Sequence, residues 1–201
     1  MVSVIDNGRS CSRFFLARPR RGRLLVVSGP SGVGKTSVVN ALAAEADFHF
    51  SVSMTTRPPR PSEVPGLDYH FVTRQQFEAA IAGGSLLEWA EYGGNLYGTP
   101  RDPVIAHLEA GENVLLDIEN DGAGQIKRSY PDAILVFLVP PTLAELESRL
   151  RNRGDTDDTE IRRRLGVAAD QIADAEENFD HLVVNNDVAD AVAEVTGILS
   201  F

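Results

Sequence analysis

A glycine-rich segment holds the residues whose types and spacing make the clearest chemical prediction. It runs from Gly29 to Thr36. Gly34 is followed directly by Lys-Thr, and the segment has the Gly-x4-Gly-Lys-Thr spacing of a phosphate-binding loop. Gly32 and Gly34 can adopt positive φ, which lets successive backbone N–H groups converge on one anion. Lys35 offers a point charge to the β- and γ-phosphates, and the Thr36 hydroxyl offers a ligand to Mg²⁺. The segment predicts a site for a nucleoside triphosphate that arrives with Mg²⁺.

The elements on either side of the loop are the ones that such a site needs. Residues 24–28 form an apolar run of strand length, and Val38, Val39 and Leu42 then recur with helical spacing. The N-terminus of that helix adds a positive dipole end beside the anion. A plain connector between a strand and a helix is the alternative, but it does not account for the Lys-Thr pair. We assign ATP binding to Gly29, Ser31, Gly32, Val33, Gly34, Lys35, Thr36 and Ser37.

A second group of candidate residues lies in the proline-rich segment 54–61. Its prolines lack an N–H group and fix φ, so the segment cannot be helical. Arg57 and Arg60 therefore lie on a stiff, extended loop, where each guanidinium can bind a phosphate with two hydrogen bonds. A solvated basic turn is an equally good interpretation of these two residues alone.

Strands and helices alternate along the rest of the chain, which predicts an α/β fold with a mainly parallel sheet covered by helices. Thr73 with Gln76 forms a capping box for a helix that ends at Gly83-Gly84, and Thr99 is predicted to cap a helix that Gly111 closes. Further caps are expected at Thr142 and Asp187. The predicted strands are residues 48–53, 68–72, 113–117, 133–139 and 181–186, with a hairpin over 86–98.

Charged residues at two further places fit a triphosphate site. The strand 113–117 ends in Asp117, whose carboxylate would lie near the metal or orient a phosphate-binding arginine. Residues 149–164 interleave arginines with acidic residues. This segment is either a solvated helical hairpin or a mobile lid over the triphosphate.

The composition limits the classes of function. The 201 residues suit one domain with small inserted lobes, and the net charge of -10 argues against general binding to nucleic acid or to anionic membranes. Residues 1–22 are basic, and we expect a disordered extension, with a transit peptide as the alternative. Cys11 is the only cysteine, so an intrachain disulfide is impossible and a reducing compartment fits. We interpret Trp89 as a core residue and predict no metal held by protein side chains alone.

The order of features from residue 51 to residue 100 resembles the guanylate kinase family, whose members make GDP from GMP and ATP. The resemblance is carried by residues 51–60 (SVSMTTRPPR), 68–71 (DYHF), 88–90 (EWA) and 97–100 (YGTP). It implies a P-loop core of residues 23–50, 104–142 and 172–201, a GMP-binding lobe of residues 51–103, and a lid of residues 143–171. It also implies a cytoplasmic enzyme that acts as a monomer or small homo-oligomer.

The resemblance assigns roles to individual positions. Lys35, Arg153 and Arg164 would act on the transferring phosphoryl group, and Asn185 would lie near the adenine of ATP. The implied GMP-binding residues are Ser53, Arg57, Arg60, Tyr69, Glu88, Tyr97, Thr99, Asp117 and Glu119. Glu119, Asn120, Asp121, Gln171 and Asn186 depart from the usual family residues, which at position 120 are aromatic or apolar.

The hydrogen-bond donors of guanine explain why a carboxylate such as Glu88 suits a GMP site. Guanine presents the N1–H and the N2 amine side by side, and one carboxylate can accept from both, whereas adenine has a bare acceptor at N1. AMP beside Glu88 would leave a buried carboxylate without a partner, which disfavours AMP as a substrate. The hydroxyls of Ser53 and Thr99 can donate to guanine O6. A non-catalytic module that binds proteins in the GMP lobe, and a P-loop kinase with another acceptor, are the alternative functions.

Overall fold

The computed structural model describes residues 21–45, 48–152 and 157–199. Within those ranges the chain forms nine strands and seven helices. In chain order these are β1 (Leu24–Ser28), α1 (Lys35–Glu45), β2 (Phe48–Phe50), β3 (Met54–Thr55), β4 (His70–Phe71), α2 (Arg74–Ala82), β5 (Leu86–Tyr92), β6 (Asn95–Pro100), α3 (Arg101–Glu109), β7 (Asn113–Asp117), α4 (Asn120–Ser129), β8 (Ile134–Val139), α5 (Leu143–Asn152), α6 (Asp158–Asn178), β9 (His181–Val184) and α7 (Val188–Leu199). None of the helices in these ranges has the length and apolar character needed to cross a bilayer.

A parallel sheet of five strands, in the order β2-β7-β1-β8-β9, forms the centre of the molecule. Strand β1 is central and fully buried, because helices cover both faces of the sheet. Leu25 and Val27 pack with α1 and α7 on one face, whereas Leu24 and Val26 pack with α3 and α4 on the other. Each buried leucine or valine contributes roughly 1.5–3 kcal/mol of transfer free energy. The predicted α/β fold with a covered parallel sheet is confirmed.

A second sheet of four strands, in the order β4-β3-β6-β5, is formed within residues 54–100. The predicted hairpin is present, and its turn is made by Gly93 and Gly94 with φ of 58° and 78°. The predicted capping box of α2 is also present: the Thr73 hydroxyl accepts from the Gln76 N–H, and the Gln76 side chain accepts from the Thr73 N–H. The boundaries of the core, lobe and lid stay predictions.

Three local predictions are wrong in detail. Thr99 does not cap α3, because it is a buried residue of β6, and Pro100 occupies the cap position without a side-chain hydrogen bond. Pairing with β5 outweighs the local preference of threonine for helix starts. Trp89 is not a core residue, since it is 40% exposed on β5. The strand predicted to reach Ser53 ends at Phe50.

Candidate active site

The glycine-rich loop between β1 and α1 borders the larger of two neighbouring cavities, of about 730 Å³. Gly32 and Gly34 have φ of 89° and 95°, as the sequence predicts, so other residues would be strained there. A Cβ atom on Gly34 would lie 2.6 Å from Asn185 Nδ2. That Asn185 amide donates to the Val33 carbonyl at 2.8 Å and thereby fixes the loop. The cavity is lined by Gly29, Pro30, Ser31, Gly32, Gly34, Lys35, Thr36, Arg60, Tyr92, Glu119, Arg149, Arg163, Arg164, Val167 and Gln171.

Arginines of α5 and α6 give this cavity its positive charge. Arg149 donates to the carbonyls of Val33 and Asn185, at 3.1 and 3.0 Å, and so ties α5 to the loop. Arg163 and Arg164 both bind Glu160 on their own helix and line the cavity. One carboxylate cannot neutralise two guanidinium groups, so the pair of arginines retains a net attraction for phosphate.

Lys35 lies where the larger cavity meets the smaller one. Its Nζ is 2.7 Å from Asp117 Oδ1 and 3.9 Å from Glu119 Oε1. Burial by itself lowers the pKa of the Lys35 ammonium, but the nearby charges of Asp117 and Glu119 outweigh burial and raise this pKa above its ordinary value. Lys35 is therefore a permanent cation between the two cavities. Among the described residues, Asp117 forms its ion pair with this lysine and not with an arginine.

The smaller cavity, of about 250 Å³, surrounds a buried carboxylate. Glu88 is 5% exposed, and its Oε1 accepts from the Thr99 hydroxyl at 2.6 Å. Burial raises the pKa of Glu88 to about 7, against the opposing effect of the Thr99 hydrogen bond. The cavity is lined by Lys35, Ser53, Tyr69, Glu88, Ala90, Tyr92, Tyr97, Gly98, Asp117, Ile118, Glu119 and Gly122.

Gly122 makes room for that carboxylate, and the sequence prediction missed it. A Cβ atom at this position in α4 would lie 2.5 Å from Glu88 Oε2. Glycine in a helix costs about 1 kcal/mol relative to alanine, so a glycine near a helix start is a signal for close packing. A glycine in the sequence does not reveal which residue packs against it. Only the position of β5 against α4 in the structure shows that Glu88 is the residue packed against Gly122.

The loop after β3 carries the two predicted phosphate-binding arginines, and they lie in different environments. Arg57 donates twice to the Glu63 carboxylate, at 3.0 and 2.7 Å, and its guanidinium lies 5.5 Å from the centre of the Tyr69 ring. Glu63 also accepts from the Arg60 backbone N–H at 2.7 Å. The Arg60 side chain is 72% exposed and borders the larger cavity.

Comparison with known proteins identifies the family of the chain that forms these two cavities. A family model described as guanylate kinase matches residues 21–200. The chain belongs to the guanylate kinase family. The guanylate kinase of Thermosynechococcus vestitus is 49% identical over 186 residues, which cover 92% of this chain and 97% of that protein. The guanylate kinase of one strain of Thermus thermophilus is 50% identical over 180 residues, covering 90% of this chain and 81% of that protein.

A solved structure of the same family has the same fold. The crystal structure of guanylate kinase from Anaplasma phagocytophilum superposes with a TM-score of 0.74 and 32% sequence identity. The match covers 90% of this chain and 86% of that one. The resemblance of the sequence to guanylate kinases is thereby confirmed, over nearly the whole chain.

The structure of this guanylate kinase family member brings most of the predicted site residues to the two cavities. The predicted loop residues line the larger one, except Val33, which is buried beneath the loop, and Ser37, which bonds to the Gly34 carbonyl through its N–H. Of the predicted guanine-reading residues, Ser53 and Glu88 line the smaller one, whereas Thr99 is fully buried and donates to Glu88. The residues named for the GMP phosphate are not all gathered: Tyr69 and Tyr97 line the smaller cavity, while Arg60 borders the larger. Arg153 lies outside the described residues. The roles of all these residues stay predictions.

Arg149 was not predicted as a site residue, and no sequence signal separates it from Arg151 in the same helix. Only its contacts with the loop do so. Thr36, the predicted Mg²⁺ ligand, presents a hard oxygen donor to the larger cavity, as Mg²⁺ requires. The described parts of the chain contain no group of three acidic, histidine or cysteine side chains arranged to hold a metal. A single protein oxygen suits a Mg²⁺ ion that enters already bound to a triphosphate.

Proposed function

We propose that this chain transfers the γ-phosphoryl group of ATP to GMP, giving ADP and GDP, and that dGMP is also a substrate. The observation that carries the proposal is the position of Lys35 at the junction of the two cavities, 2.7 Å from Asp117. One cavity has the glycine loop and arginines that suit a triphosphate. The other has a buried carboxylate that suits guanine.

Selection of the base rests on Glu88. Its Oε1 is already bonded to the Thr99 hydroxyl, so Oε2, beside Gly122, is the freer acceptor for the guanine N1–H and N2 donors. The Thr99 proton would have to turn from Glu88 to reach guanine O6, which leaves Ser53 as the more available donor. AMP offers an acceptor at N1, and a buried carboxylate against it is strongly unfavourable.

The phosphoryl step needs alignment and charge, but no general base. A GMP phosphate oxygen is already ionised at neutral pH, so it attacks the γ-phosphorus without losing a proton, and the bond from that phosphorus to the β–γ bridging oxygen breaks. Lys35, which lines both cavities, would lie beside both phosphate groups and stabilise the negative charge that develops. Mg²⁺, bound with ATP and by Thr36, would supply further positive charge. We assign Arg153 and Arg164 to the transferring group and Arg57, Arg60, Tyr69 and Tyr97 to the GMP phosphate.

The remaining assignments are proposals of the same kind. Asp117 holds Lys35 in place, and Glu119 is the second carboxylate near it, at 3.9 Å. We place the enzyme in purine nucleotide metabolism in the cytoplasm, as a monomer or small homo-oligomer. The net charge of -10 supports the absence of nucleic-acid and membrane partners.

The decisive experiment is a coupled ADP-release assay with Mg-ATP and each monophosphate in turn. We expect turnover with GMP and dGMP and little with AMP, CMP or UMP. Equal rates with AMP would contradict the role of Glu88. Binding of ATP without any turnover of GMP would favour a module that recognises a partner and does no chemistry.

A further inference from the structure

Strand β5, which carries Glu88, lies at the edge of the second sheet. The outward backbone groups of an edge strand have no strand partner. At Trp89 a side chain takes that place: Gln125 Nε2 donates to the Trp89 carbonyl at 2.7 Å, and the Trp89 N–H donates to Gln125 Oε1 at 3.2 Å. One amide of α4 therefore pairs with both backbone groups of a single residue, as a neighbouring strand would.

The pairing of β5 with β6 does not fix this position by itself. The register shifts between Leu86 and Glu88, directly before the base-reading carboxylate. A bulge of this kind redirects the side chain that follows it, and it loosens the ladder at the same point. The Gln125 amide supports the strand immediately after the irregularity.

The helix that carries Gln125 is well placed to act as a support. Gly122 and Gln125 are three residues apart, so they lie on one face of α4, with Gly122 against Glu88 and Gln125 against Trp89. Ala123 and Ile126 of the same helix are fully buried against the central sheet. Helix α4 thus connects the packed core to two consecutive residues of β5.

We propose that Gln125 is a positioning residue for base recognition, which holds the Glu88 carboxylate in the smaller cavity by pairing with the backbone of Trp89. The proposal rests on the proposed GMP kinase activity. Gln125 is absent from the residues lining either cavity, so it acts through Glu88 and not by touching a nucleotide. A small displacement of a recognition group weakens binding and alignment steeply.

The test replaces Gln125 by methionine, which has a similar length but forms neither hydrogen bond. Steady-state kinetics should show KM for GMP rising about tenfold, KM for ATP unchanged, and a lower ratio of GMP to AMP turnover. Arg128→Met on the same helix is the matched control, because Arg128 is exposed, and it should leave both KM values unchanged. Hydrogen exchange of the Trp89 amide should become faster in Gln125→Met only.

A purely structural role for Gln125 would lower the thermal stability without separating the two KM values. That result, or an unchanged KM for GMP, would overturn the proposal. If Gln125→Met does not fold, Gln125→Glu carries the test, since glutamate keeps the acceptor for the Trp89 N–H and loses the donor to its carbonyl. KM for GMP should rise again, because a carboxylate oxygen would then face the Trp89 carbonyl. An unchanged KM for GMP would contradict the proposal. Failure of the unmodified protein to phosphorylate GMP would instead overturn the proposed function.

Discussion

The two cavities differ in how far apart in the sequence their defining groups lie. The larger cavity is organised by the contiguous loop from Gly29 to Thr36, whose backbone conformation is set by its own glycines. The smaller cavity combines residues from Lys35 to Gly122, which three strands, two helices and the segments beside them bring together. On the proposed function, phosphate recognition would be a local property of the chain, whereas base recognition would be a property of its packing.

The charges lining the cavities differ in the same way. The larger cavity has five cationic side chains and one carboxylate, and a glycine loop tolerates any triphosphate, whatever its base. The smaller cavity has three carboxylates and one cation, which both cavities share. A buried carboxylate is costly unless a partner arrives, and on the proposed function this cost would make the smaller cavity selective. Variants at each cavity should therefore change different kinetic parameters.

The largest effect is expected at the shared cation. Replacing Lys35 by methionine removes the positive charge between the two cavities while keeping the length of the side chain. We expect kcat to fall about 10³-fold, as for other groups that stabilise charge in the transition state. Arg74→Met is the control, because Arg74 is an exposed cation paired with Glu78 on α2. Turnover of Lys35→Met above a tenth of the unmodified rate would place the essential charge elsewhere.

The second-largest expected effect distinguishes the two cavities by their kinetics. Glu88→Gln removes the negative charge and replaces one carboxylate oxygen by an N–H donor, so kcat/KM for GMP should fall about 100-fold while KM for ATP stays unchanged. Glu78→Gln, at an exposed position of α2, should change neither value. A parallel loss for ATP in Glu88→Gln would show that the two cavities are not independent.

A smaller effect tests the fit between α4 and β5. Gly122→Ala introduces a Cβ atom 2.5 Å from Glu88 Oε2, and KM for GMP should rise about tenfold because the carboxylate must move. Gly124→Ala is a matched control in the same helix, where the nearest atom to the new Cβ is Arg128 Nη1 at 3.4 Å. The control should keep normal kinetics and gain about 0.5–1 kcal/mol in the free energy of unfolding. Equal kinetics in the two variants would contradict the close packing at Gly122.

The smallest effect is the pH dependence of the selective cavity. Because the pKa of Glu88 is about 7 and guanine needs the carboxylate form, KM for GMP should rise several-fold as the pH falls from 8 to 6. Glu88→Gln removes this titration and leaves only the ionisation of the GMP phosphate, so the difference between the two profiles reports Glu88. Identical profiles would show that Glu88 does not titrate in this range.

The same titration affects stability with a defined sign. The folded state keeps the Glu88 proton up to a pH of about 7, whereas the unfolded chain loses it near the ordinary value of 4.5. The stabilising contribution of Glu88 is therefore complete below pH 4.5 and is lost as the pH rises through 7. The measurement is denaturant unfolding of the unmodified protein and of Glu88→Gln at several pH values. The difference between their free energies of unfolding should change over this pH window.

Local rules succeeded where the interactions that decide a structure are close in sequence. The Thr73–Gln76 capping box and the turn at Gly93 and Gly94 are examples, because their partners lie within a few residues. The same rules failed at Thr99, where pairing with β5 overrides a cap preference worth only about 1 kcal/mol.

The sequence by itself determined the glycine loop, the apolar strands of the parallel sheet and the chemical types of the candidate site residues. It did so because φ preferences and the burial of apolar runs act over short stretches of chain. Only the tertiary structure decided that Asp117 pairs with Lys35 and that Gly122 and Gln125 support Glu88 and its strand. These partners are 34 to 82 residues apart, and no local periodicity relates them. The contact between Lys35 and Asp117 follows from the pairing of β1 with β7. The contacts of Gly122 and Gln125 follow from how α4 packs between the central sheet and the edge of the second one.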